Sequence, residues 1–153
     1  MPIPSVSRDL HTVKQVRAIE SAALDALGIS AEELMRRAAR AALESLHRHW
    51  PQLRRICVHC GPGNNGGDGF LLAVLAREAG WHVELVALGD SSRGVAGSAR
   101  ASWLAGGGQL QPWDAHADLP EAQIHVDALY GIGLNRAPET AAAALIEQIN
   151  RSG

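Results

Sequence analysis

Lysine is almost missing from this chain. Lys14 is the single one among 14 basic residues, a skew that reads as base-composition bias before anything functional. Neither sign of charge is in excess: 16 acidic residues leave a net charge of −2 over 153 residues. Composition therefore makes no electrostatic case for nucleic acid as a partner. Long apolar runs are missing too. None approaches the ~20 residues that cross a bilayer, and the start, Met1-Pro2-Ile3-Pro4, lacks a basic-then-apolar leader. No membrane partner is expected, and the expected compartment is the cytoplasm. Aromatic residues make up only 4%; Trp50, Trp81, Trp103 and Trp113 are scattered at element ends and read as packing, not as a base-stacking platform. No Gly-Lys-Ser/Thr occurs, which excludes a P-loop. The two cysteines, Cys57 and Cys60, lie inside an apolar strand-like segment, and their spacing puts them on opposite faces of it. They are expected to be inert thiols, neither a redox pair nor, without a second cysteine pair, a zinc site. Seven histidines, at 11, 47, 49, 59, 82, 116 and 125, show no metal spacing on a shared face.

What is present is an alternating α/β pattern with an apolar fraction of 46%, ordinary for a globular domain. Thr12 is a candidate N-cap for a helix with Val13, Val16, Ile19, Ala23 and Leu27 at helical spacing and Gly28 as a stop. Ser30 and Glu33 make a capping box for a second helix, with Leu34, Met35, Ala38, Ala42 and Leu46 inward, ending before Pro51. From Arg55 the reading is strand, loop, helix, strand (residues 82–88), then an Ala-rich helix through Ala99 and Trp103. An irregular stretch at 112–120, a short strand at 123–127, a Gly-punctuated loop and a last helix at 139–150 follow. Alternation of this kind predicts a mainly parallel sheet in a three-layer, Rossmann-like αβα arrangement. No repeat or linker divides the chain, so residues 1–153 are expected to form one domain.

The most informative stretch is Gly61-Pro62-Gly63-Asn64-Asn65-Gly66-Gly67-Asp68-Gly69. A Gly-rich turn from a strand into a helix collects backbone N–H groups at a helix N-terminus, a place to hold phosphate. Gly61, Gly63 and Gly66 satisfy G-x-G-x-x-G, but the acid expected about 20 residues on is late, at Asp90, and Asp68 would repel a pyrophosphate. An ordinary dinucleotide-binding dehydrogenase is therefore not the reading. Two amides and a carboxylate add hydrogen bonds, oxygen ligands and a proton carrier to the loop.

A second stretch, Val126-Asp127-Ala128-Leu129-Tyr130-Gly131-Ile132-Gly133-Leu134-Asn135-Arg136, also closes a strand. With both motifs in this order, and with 13–20 and 33–39 fitting as well, the sequence resembles the YjeF N-terminal domain family, the NAD(P)H-hydrate epimerases. That family continues into an Asp-x-Pro-Ser-Gly motif, whereas this chain stops at Gly153, so the domain is expected to be C-terminally incomplete. The resemblance implies an isomerase that interconverts the R and S hydrates of NADH and NADPH. It implies a potassium ion ligated by Asn65 and Asp127, and substrate contacts from Asn64, Asn65, Gly66, Gly67 and Asp68. The facing loop would add Gly131, Ile132, Gly133, Leu134, Asn135, Arg136 and Ala137. Asp127 is the first choice for acid/base and Asp68 the second; the division between them stays open. The implied partner is an NAD(P)H-hydrate dehydratase, fused or separate, and a homo-oligomer is left open. The alternative is a non-catalytic nucleotide- or RNA-associated scaffold module of the same family, which the joint presence of Asn64, Asn65, Asp68 and Asp127 disfavours.

Overall fold

Arg55–Cys60 forms the central strand, β1, because its β-branched and apolar residues are buried on both faces of a sheet. The computed structural model describes residues 10–152; the start at residues 1–4 lies outside the described part. Element order is α1 (Val13–Leu27), α2 (Ala31–His49), β1, α3 (Asn64–Glu78), β2 (His82–Ala87), α4 (Gly94–Ala105), β3 (Gln111–Pro112), β4 (Ile124–Ala128) and α5 (Thr140–Arg151). The sheet is wholly parallel in the order β3-β2-β1-β4. This is the expected α/β class. The chain runs outward from β1 to β2 and β3, then returns to place β4 on the other side of β1. That reversal opens a crevice at the carboxyl ends of β1 and β4, where folds of this type bind ligands.

Alternation along β1 divides its side chains. Ile56, Val58 and Cys60 join Phe70, Leu71, Leu72, Ala73 and Val74 of α3 in the main core, with Met35 and Ala39 of α2 and Ala99 and Trp103 of α4. Helix α3 lies against the sheet and is flanked by α2 and α4, which explains why it is apolar on all sides. Cys57 and His59 alternate to the opposite face, both fully buried. The two cysteines are thus separated by the sheet, as their spacing predicts, and both are free.

Several local readings change. Helix α3 starts at Asn64, not near Phe70, so the Gly-rich loop is shorter and the amides sit in the helix's first turn. On α2 the inward stripe is Met35, Ala39, Leu43 and Leu46; Ala38 and Ala42 are exposed. Ser30 caps α2 by accepting the Glu33 N–H at 3.1 Å, while the Glu33 carboxylate turns to Arg37 at 2.9 Å. Thr12 and Gln15 form a complete capping box on α1, and Gly28 ends it at φ 61°, a left-handed conformation natural to glycine. Yet α1 buries none of its residues; Val13, Ile19 and Leu27 stay exposed. Strand β3 is an unforeseen element at the start of the irregular stretch, pairing Gln111 with Val86.

Candidate functional site

The two sequence motifs meet at the crevice because their strands are neighbours: His59 pairs with Asp127 and Cys60 with Ala128. The pairing continues past the strands. Gly61 N–H donates to the Ala128 carbonyl at 3.0 Å, and the buried Ser91 hydroxyl donates to the Gly61 carbonyl at 2.8 Å. A Cβ on Gly61 would overlap the Leu129 carbonyl, and one on Gly66 would overlap the Gly61 carbonyl. The glycines therefore serve the close approach of three backbone segments. Gly66 and Gly67 are buried, the latter against Ala96 and Met35; their small size packs the loop rather than opening it.

The first turn of α3 carries Asn64, exposed, and Asn65, half-buried. Its N-cap is Gly63, with no side chain to cap the turn. The first N–H groups of a helix have no intrahelical partner, so this end presents uncapped donors and a positive dipole to the crevice. A side chain at Gly131 would stand 3.3 Å from the Asn65 Cβ and 3.5 Å from its Oδ1, so the Asn65 amide abuts the second motif. Asp127, exposed at the end of β4, accepts the Leu129 N–H on Oδ1 at 2.9 Å. That bond orients its carboxylate toward the same turn, and a carboxylate keeps further acceptor capacity. Asn65 and Asp127 thus flank Leu129 to Gly131 with oxygen donors, the ligand type suited to hard cations.

Asp68, one turn into α3, is half-buried. Burial, and second the carboxylate of Glu20, push its carboxyl up to about 6. Asp68 is thereby poised to exchange a proton near neutrality. Residues 131–137 are all exposed, with a turn closed by the Leu134 N–H on the Gly131 carbonyl at 3.1 Å. Ile132 and Leu134 present apolar surface, 53% and 44% exposed. Arg136 pairs with Glu139 at 2.8 Å rather than standing alone.

Two further residues arrive from α1. Glu20 acts on Asp68, and the Arg17 guanidinium lies 3.5 Å from where a side chain on Gly133 would stand. Neither was singled out in the sequence for a site role, since nothing in a helix preceding the first strand by two elements indicates which turn reaches the crevice. The histidine reading is also corrected. His59 and His125 stack with ring centroids 5.3 Å apart, Nε2 of the first lying 3.0 Å from Nδ1 of the second. Their strands are adjacent in space but 66 residues apart in sequence, so no spacing rule reveals them.

Known proteins resemble this chain over most of its length. Residues 31–153 match the family described as YjeF-related protein N-terminus. An NAD(P)H-hydrate epimerase of Rhodobacter capsulatus is 39% identical over 138 residues, covering 84% of this chain and 64% of the relative. The bifunctional NAD(P)H-hydrate repair enzyme Nnr of Escherichia coli is 39% identical over 150 residues, covering 92% of this chain and 28% of that protein. The chain therefore spans less than two thirds of the length of either. The crystal structure of yeast ynu0 superposes with a TM-score of 0.80 at 18% identity, covering 94% of this chain and 65% of that one, and so shares the fold.

Proposed function

Because the chain belongs to the YjeF-related N-terminal family, we propose that it carries the active site of an epimerase acting on the R and S hydrates of NADH and NADPH. The observation that carries this reading is the convergence of Asn65 and Asp127 on one crevice beside the uncapped N-terminus of α3, with Asp68 one turn further along that helix. The relatives named for that activity support it.

The hydrate's reacting carbon, C6 of the nicotinamide ring, is a hemiaminal. Its C–O bond breaks with help from the ring nitrogen lone pair once the hydroxyl is protonated. Asp68, with a carboxyl near 6, donates that proton, and the product is a planar iminium and water. Asp127 takes a proton from the water that returns to the opposite face, which inverts the centre. On this reading Asp68 is the acid and Asp127 the base, a division that the sequence leaves open. The uncapped N–H groups of the α3 N-terminus offer hydrogen bonds to the substrate, and Ile132 and Leu134 cover the ring and limit water.

A potassium ion fits the donors present, since the Asn65 amide and the Asp127 carboxylate supply only oxygen. When bound it would hold charge and oxygen atoms in place beside Asp127. An NAD(P)H-hydrate dehydratase is the fitting partner, as the bifunctional relatives imply. No described helix is long and apolar enough to span a membrane, and the cytoplasm is the proposed compartment.

The test is inversion of purified S-hydrate in water labelled with heavy oxygen, followed by NMR and mass spectrometry. The expected result is accelerated interconversion with label entering at the rate of inversion and a deuterium at C6 retained. No acceleration over the spontaneous rate overturns the reading; inversion without label overturns the iminium route alone.

A further inference from the structure

On the sheet face away from the main core, one thiol and two imidazoles crowd together beside Asp127, and the proposed reaction uses none of the three. Cys57 and His59 share that face of β1, and His125 is the register partner of Cys57 on β4. One donor atom from each of the three lies within 4.8 Å of the others. We propose that Cys57, His59 and His125 form a binding site for a thiophilic divalent transition metal, zinc above all.

The donor set is the first argument. One sulfur and two imidazole nitrogens suit zinc and its neighbours, and not the hard cation fitted by the oxygens of Asn65 and Asp127. Zn–S and Zn–N bonds of about 2.3 and 2.0–2.1 Å put the donors of a tetrahedron roughly 3.3–3.6 Å apart. The His59 Nε2 to His125 Nδ1 pair stands at 3.0 Å, slightly inside that span, and rotation of side chains already within 4.8 Å of one another would bring in the Cys57 thiolate. All three donors stand on sheet strands, which hold them with little freedom.

A second observation is an incomplete hydrogen-bond network around His59. His59 is fully buried, and its Nδ1 has no hydrogen-bond partner among the described residues. Buried polar atoms seldom go unpaired. Coordination would remake this local network: each imidazole gives one lone pair and keeps its proton on the other nitrogen, and the Cys57 thiol releases its proton to solvent. Glu84, the register partner of Cys57 on β2, places a carboxylate close enough to act on the thiol, which favours a cation there. Access is available at His125, which is half-buried and lines a recess of about 320 Å³ with residues 118–122, Gln148, Arg151 and Ser152. Three protein donors and an open side leave the fourth position to water or a small ligand. Cys60 takes no part, since it faces Gly69 across the other side of the sheet.

Cobalt(II) titration of chelator-treated, reduced protein tests the proposal, because thiolate–cobalt coordination absorbs in the near ultraviolet. The expected result is saturation at one equivalent, with a thiolate charge-transfer band that zinc abolishes by displacement. Cys57→Ser should remove the band, Cys60→Ser should keep it, and His125→Ala should end stoichiometric binding. Circular dichroism and melting curves establish that each variant folds. His125→Ala carries the histidine arm, since its half-exposed position tolerates truncation better than the buried His59. Absence of stoichiometric binding overturns the site. So does an unchanged spectrum in folded Cys57→Ser or unchanged affinity in folded His125→Ala.

Discussion

The Glu20 carboxylate on α1 lies near enough to Asp68 on α3 for its charge to raise that carboxyl, although the two are 48 positions apart in the sequence. Burial first, and the Glu20 charge second, place the Asp68 carboxyl at about 6, so one helix adds to the tuning of the acid carried by another. If Asp68 is the proton donor, its activity limb should lie near that value. Glu20→Gln should move the limb to lower pH. A pH–rate profile unchanged in the variant would remove Glu20 from the mechanism.

The same shift predicts a stability effect. The native carboxyl is raised above its unfolded value of about 3.9, so the native state binds the proton more tightly. Its penalty is absent below about pH 4 and grows as pH rises toward 6. Asp68→Asn should therefore stabilise the fold at pH 7 by about 1 kcal/mol, a figure reduced for partial solvation. The gain should vanish below pH 4. Urea denaturation at the two pH values checks it, and the same variant should lose epimerisation.

Asp127→Asn keeps an oxygen to accept the Leu129 N–H and removes the acid/base function. Epimerisation is expected to fall by roughly 10²–10⁴, with the melting curve little changed. A folded variant with near-normal turnover would exclude Asp127 from catalysis.

Asn65→Ala removes an amide oxygen beside Gly131. Activity should then respond less to potassium when it is titrated against sodium or lithium. Wild-type activity indifferent to the monovalent cation would defeat the potassium assignment.

Gly66→Val drives a branched side chain into the Gly61 carbonyl. The expected loss is about 2 kcal/mol or more of stability, seen in denaturant melts before any ligand is added. Gly63→Ala is the control. Its φ of −101° is ordinary and a Cβ there meets nothing within 4 Å, so stability should hold within about 0.5 kcal/mol.

Much of this molecule was legible in its sequence. Local rules located what is set locally: the Thr12 and Ser30 caps, the Gly28 stop, the periodicity of β1, and the passage from strand to helix through Gly61. The two motifs were legible because each is contiguous, and both end strands of a parallel sheet. The start of α3 was not, since Asn64, Asn65 and three glycines are poor helix formers and only docking against Gly61, Ala96 and Met35 makes a helix there. The α2 stripe turned by one position for the same kind of reason. Alanine is small enough to lie on either side of a helix, and the packing partner chooses.

The sequence by itself determined the α/β class, the family, and the identity of the oxygen-bearing residues at the crevice. Only the tertiary structure decided which of them act on one another. It brought Glu20 to Asp68, set Asn65 against Gly131, and stacked His59 on His125 across two strands. The physical reason is that caps and periodicity depend on neighbours within a few residues. Charge coupling, burial and ligand convergence depend on distance in space, and in a parallel sheet adjacent strands come from distant parts of the chain.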